Sequence, residues 1–127
     1  MHTLVDPLKR ALQIRPNEVA VIDGEKMFTY AELWERCSRL VGALQNLGAV
    51  NGDRIAILSN NSHQYFEAYM GIPAGRMVVV PLNTRHALPE LMYALEDSGA
   101  KILLTDREDI GGLQGIVDHV ISLNGGY

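Results

Sequence analysis

Thr29 and Glu32, with Phe28, Tyr30, Ala31 and Leu33 around them, place a hydroxyl, a carboxylate and two aromatic rings within six residues of a 127-residue chain. That could be a reactive constellation, but a Thr three residues ahead of a Glu is also the capping box that starts a helix. In it the Thr29 hydroxyl accepts from the N–H of Glu32, and the Glu32 carboxylate accepts from the N–H of Thr29. Phe28 and Leu33 stand where a hydrophobic staple would, and an apolar stripe follows, so capping explains every residue except Tyr30. Such a cap contributes about 1 kcal/mol. His2, His63, His86 and His119 have no metal-ligand spacing, and no Cys or acidic partner completes a site. Cys37 falls on the apolar stripe and is expected to be inert core. Asp106-Arg107-Glu108-Asp109 is a candidate metal run that reads better as a helix cap and a solvated face. Trp34 reads as packing, and Met70, Met77 and Met92 as gap-fillers. Arg85 stands apart, because it follows the Val78-Val79-Val80-Pro81-Leu82-Asn83 strand end, where α/β folds gather ligand contacts. Its bland alternatives are a solvated arginine or an ion pair with Glu90. Asn83 is expected to tie down the turn through its side chain.

The elements that must position these residues alternate along the chain. Apolar runs at Val19–Ile22, Lys26–Phe28, Ile55–Leu58, Val78–Val80, Ile102–Leu104 and His119–Ile121 predict strands. Asp23-Gly24 is a hairpin turn dipeptide, so the first two runs form a small antiparallel hairpin. The later runs do not alternate with polar residues, which predicts a parallel sheet covered on both faces. Helical segments lie between them. Thr3–Ile14 carries Leu4, Leu8 and Leu12, and Tyr30–Leu47 carries Leu33, Cys37, Leu40, Leu44 and Leu47 on one stripe. Gly48 is placed to end that helix in a left-handed conformation. Further helices are expected from Ser62 to about Gly75, with Pro73 in the last turn, from Pro89 to Asp97, and from Arg107 to Ile110 with Asp106 as cap. The order predicts an α/β fold: a doubly wound, mainly parallel sheet flanked by helices, with a small N-terminal hairpin.

Length supports one domain with a core. Net charge is −4 with acids and bases interleaved, which argues against nucleic-acid or anionic-membrane binding by bulk electrostatics. The single cysteine excludes an internal disulfide and suits a reducing, cytoplasmic setting. The start, MHTLVDPLKR, lacks the apolar core of a signal peptide, and the longest apolar run, Met77 to Leu82, is too short for a transmembrane segment.

These residues, in this order, resemble the N-terminal part of AMP-forming acyl-CoA synthetases within the adenylate-forming superfamily. The resemblance runs from Arg15-Pro16-Asn17-Glu18-Val19-Ala20-Val21 through the Phe28–Leu33 motif and Leu47-Gly48 to Gly52-Asp53-Arg54-Ile55-Ala56-Ile57-Leu58. It continues through Asn60-Asn61-Ser62, Glu67-Ala68-Tyr69, Ala74-Gly75, Val78–Asn83, Glu90-Leu91 and Asp97–Lys101. No single motif is specific, but their register is. The Pro81-Leu82-Asn83-Thr84-Arg85 variant is similar to fatty-acyl or aryl-CoA ligases. The resemblance implies a ligase that activates a carboxylic acid with ATP and Mg2+ to an acyl-adenylate and transfers the acyl group to CoA. It also implies that Arg85 lies near the phosphates of the CoA nucleotide, as a guanidinium suits.

The family's Ser/Thr/Gly-rich phosphate loop does not occur in the sequence. Gly111-Gly112 and Gly125-Gly126 have no lysine or hydroxyl partners. The expectation is therefore that residues 1–127 form a single partial domain of a larger N-terminal ligase domain. That fragment should be inactive alone, bind none of these cofactors tightly, and be able to self-associate through its truncated face. The alternative is an autonomous flavodoxin-like binding or interaction module without catalysis.

Overall fold

The structure is a computed structural model that describes residues 13, 15–23, 26–60 and 63–123. The expected helix Thr3–Ile14, the Gly24 turn position and the glycine-rich tail lie wholly or mainly outside these residues. Strands β1 (Val19–Asp23) and β2 (Lys26–Thr29) pair antiparallel as the expected hairpin. Helix α1 (Tyr30–Asn46) starts on the capping box, with both reciprocal bonds present. Thr29 Oγ1 accepts from Glu32 N–H at 3.2 Å, and Glu32 Oε1 accepts from Thr29 N–H at 2.9 Å. Tyr30 is half-buried and packs against Leu33, Cys37 and Met70.

Helix α1 ends in a Schellman motif, with Ala49 N–H bonding Leu44 O, Gly48 N–H bonding Gln45 O, and Gly48 at φ +94. Strand β3 (Arg54–Leu58) leads to helix α2 (His63–Ala74), which closes in the same way: Met77 N–H bonds Ile72 O and Arg76 N–H bonds Pro73 O. Here Arg76, at φ +61, stands where α1 has glycine. Strand β4 (Val78–Pro81), helix α3 (Leu88–Ser98, closed by Gly99 at φ +68), strand β5 (Ile102–Thr105) and strand β6 (His119–Ser122) complete the order.

The four later strands form one parallel sheet in the order β4-β3-β5-β6. Strand alternation splits the core in two. Ile55, Ile57, Ile102 and Leu104 face Leu40 and Leu44 of α1 and Ala68 and Ile72 of α2. Ala56, Leu58 and Leu103 face Leu91 and Leu95 of α3 together with Leu113 and Val117. Helices thus cover both faces, which is why β3 and β5 read as unbroken apolar runs. The doubly wound, parallel reading holds.

One expected element does not form. Residues Arg107–Ile110 are not helical, and a 3-10 turn follows instead at Leu113–Gly115. The cap Asp106 accepts from a distant N–H, that of Asn60. Asp109 Oδ1 accepts from Gly111 N–H at 3.0 Å, closing a local turn. Side-chain bonds of this kind compete with helix formation, and Gly111 and Gly112 then adopt positive φ.

Candidate functional site

The chain runs from β3 to β4 on one side and then crosses to β5 on the other, so the strand order reverses at β3. Beyond the carboxyl end of such a strand the flanking loops diverge and leave a crevice. A cleft of about 260 Å³ lies there, lined by Ser59, Asn60, Tyr65, Leu82, Asn83 and Thr84. Leu82 N–H still bonds Ile57 O at 2.9 Å, so the sheet ladder carries the β4 end right to this cleft. Asn83 does what its type predicts: Oδ1 accepts from Arg85 N–H at 2.9 Å. Arg85 is exposed on the same loop, and among the described residues its guanidinium has no ion pair or hydrogen bond. Glu90 is paired with His86 instead, Nε2 to Oε2 at 3.5 Å, and both of those side chains are well exposed.

Asp106 and Arg107, expected on a helix, instead bond to the loops that line the crevice. Asp106 Oδ2 accepts from Asn60 N–H at 3.2 Å, and Arg107 Nη2 donates to Thr84 O at 2.5 Å. Arg107 also borders a second cleft of about 200 Å³ with Leu88, Leu91 and Asp109. Sequence spacing could not expose these ties, because they join loops that are distant in the chain.

A second constellation, also unforeseen, lies under the hairpin. Arg36 Nε donates to Oε1 of Glu67, a fully buried carboxyl, and Arg36 Nη2 approaches His63 Nε2 at 3.5 Å. The Phe28 ring lies 4.7 Å from the His63 ring, and the Arg36 guanidinium sits 5.1 Å above Phe28. Burial pushes the Glu67 carboxyl up, while the Arg36 hydrogen bond and charge, then His63, pull it back. Cys37 Sγ donates to Glu67 O at 3.7 Å, and its thiol is pushed up to about 12, first by burial and then by the Glu67 charge. That matches an inert core cysteine. The readable signal was His63, Glu67 and Met70 at i, i+4, i+7 on the buried face of α2. This cluster joins hairpin, α1 and α2.

Gly111 and Gly112 shape the turn into Leu113–Gly115 and form no phosphate loop. Among the described residues no group of three or more His, Cys, Asp or Glu is arranged as a metal site.

The family model described as "AMP-binding enzyme" matches residues 8–124. The chain belongs to this family. A feruloyl-CoA synthase from Amycolatopsis is 42% identical over 98 residues, 77% of this chain and 20% of its own length. The N-terminal subdomain of Klebsiella oxytoca NpsA, solved with 3-hydroxybenzoyl-AMSN, superposes with a TM-score of 0.83 at 29% identity over 98% of this chain and 31% of that one. A Mycobacterium tuberculosis fatty acyl CoA synthetase gives 0.83 at 27% identity over 92% and 26%. The chain thus spans about a fifth of the length of the curated relatives it matches. Among the described residues no helix is long and apolar enough to cross a membrane.

Proposed function

We propose that the chain is the N-terminal part of an AMP-forming acid–CoA ligase. A carboxylate attacks the α-phosphate of ATP, giving an acyl-adenylate and pyrophosphate; the CoA thiol then attacks the acyl carbon and AMP leaves. The observation that carries this reading is the Arg85 guanidinium, without an ion pair among the described residues, on the loop that lines the switch-point crevice, in a chain whose relatives include CoA ligases. Several donors on one planar group suit the phosphates of the CoA nucleotide. The acid is a fatty or an aromatic one; relatives named for each kind support both. ATP, Mg2+ and the chemistry at the α-phosphate fall to residues outside this chain, which serves the parent as scaffold and CoA-facing edge. A buried, unpaired Cys37 suits a reducing cytoplasm.

The flavodoxin-like alternative shares the strand order observed here, so topology alone does not separate the two. Family membership favours the ligase. In the full-length ligase, Arg85→Ala should raise the KM for CoA and spare carboxylate-dependent ATP–pyrophosphate exchange. Unchanged CoA dependence would remove Arg85 from the site. The 127-residue chain by itself should show no such exchange, and robust exchange would overturn its assignment as an inactive part.

A further inference from the structure

We propose that Arg107 is a positioning residue for Arg85: with Asp106 it makes the end of β5 a clasp on both loops that border the crevice. The proposal rests on the CoA-ligase reading of Arg85.

The clasp begins where β5 stops. Thr105 is buried, and its Oγ1 accepts from the N–H of Arg107 at 3.1 Å, which sets the direction in which the chain leaves the strand. From there the two side chains take hold of different loops. Asp106 takes the N–H of Asn60, after β3, and Arg107 takes the carbonyl of Thr84, after β4.

The second grip falls on a decisive group. Thr84 O and Arg85 N–H belong to one planar peptide unit. Its oxygen is held by Arg107, and its N–H is held at 2.9 Å by Asn83 Oδ1. A peptide plane held at both ends resists rotation, which places the Arg85 N–Cα bond and narrows the directions in which its side chain can depart. Arg85 is exposed and has no side-chain anchor of its own among the described residues, so backbone restraint is the means of aiming it. Restraint before binding lowers the ordering cost that CoA would otherwise meet. Arg107 is half-buried, which shields its bond to Thr84 from competition by water.

The test uses the full-length ligase with Arg85→Ala, Arg107→Ala, Arg107→Lys and the Arg85→Ala/Arg107→Ala double variant. Loss of one hydrogen bond that acts on binding predicts a KM for CoA about fivefold higher in Arg107→Ala. ATP–pyrophosphate exchange and the thermal midpoint should stay near wild type. Arg107→Lys keeps a donor for the carbonyl and should recover most of the loss. The double variant should be no worse than Arg85→Ala alone, because nothing remains to be aimed. A raised KM in Arg85→Ala beside an unchanged one in Arg107→Ala overturns the clasp alone. An unchanged KM in Arg85→Ala overturns the Arg85 reading and the clasp with it. Additive losses in the double variant make Arg107 an independent ligand of CoA and overturn the positioning role. Parallel loss of exchange and thermal midpoint in Arg107→Ala reduces it to a structural residue.

Discussion

Glu67→Gln should alter how the stability of this chain depends on pH. Glu67 is fully buried, spends Oε1 on Arg36, and leaves Oε2 without a hydrogen-bond partner among the described residues. Burial outweighs Arg36 and His63, so its carboxyl sits above its ordinary value of 4.5. A carboxyl raised in this way holds its proton more tightly in the folded chain than in the unfolded one. Its contribution is therefore complete below the unfolded value and is lost as pH rises through the folded one. Glutamine keeps the shape and an acceptor for Arg36 but cannot titrate. The unfolding free energy of wild type minus that of Glu67→Gln should fall with rising pH, by at most about 1.4 kcal/mol per pH unit. Urea unfolding of both chains in small steps from about pH 4.5 to pH 8 measures that difference, and groups remote from Glu67 cancel in it. His63 faces the same carboxyl, so a parallel series in a His63→Gln background removes its share. A flat difference would sink the reasoning. A difference that climbs with pH would mean that Arg36 outweighs burial. Glu67→Ala goes further, because it leaves Arg36, 26% exposed, without its counter-charge and opens a gap in the packing. Its expected cost is about 3 kcal/mol.

Four further outcomes are expected of the same chain. Thr29→Ala should cost about 1 kcal/mol in urea unfolding, and adding Glu32→Ala should cost less than the sum of the singles, since both bonds belong to one box. Gly48→Ala should destabilise and Arg76→Gly should stabilise, each by up to about 1 kcal/mol, because the two occupy the same left-handed cap position; equal signs would contradict the matched-cap reading. With its thiol pushed up to about 12, Cys37 should react with a thiol reagent at pH 8 about a thousandfold more slowly in the folded chain than in urea. Exposed Ile22, Met27 and Val78, the last on the open β4 edge, should drive concentration-dependent self-association. A monomer by light scattering at all concentrations would count against it.

How legible each feature was depends on how far apart its partners lie. The Thr29/Glu32 box, the stripe from Leu33 to Leu44 and the Gly48 and Gly99 ends rest on contacts within a few residues, so spacing and residue type suffice to read them. The parallel sheet was legible for a related reason, since strands covered on both faces need unbroken apolar runs such as Ile55–Leu58 and Ile102–Leu104. The misplaced helix at Arg107–Ile110 shows the limit. By residue type Asp106 is a good cap, but its carboxylate is taken by Asn60, 46 residues away. Nothing local weighs against that competitor.

The amino-acid sequence by itself determined the six strands, the three helices α1 to α3 and their order, because these depend on periodicity, caps and the burial that each strand requires, and its motifs in register pointed to the family and to Arg85 on the loop after β4. Only the tertiary structure decided which side chains meet: Glu67 with Arg36 across 31 positions, and Arg107 with Thr84 across 23. Glu67 meets Arg36 where α1 packs on α2, and Arg107 meets Thr84 where the strand order reverses and the loops after β4 and β5 converge; each meeting is a property of topology that no short window of residues contains.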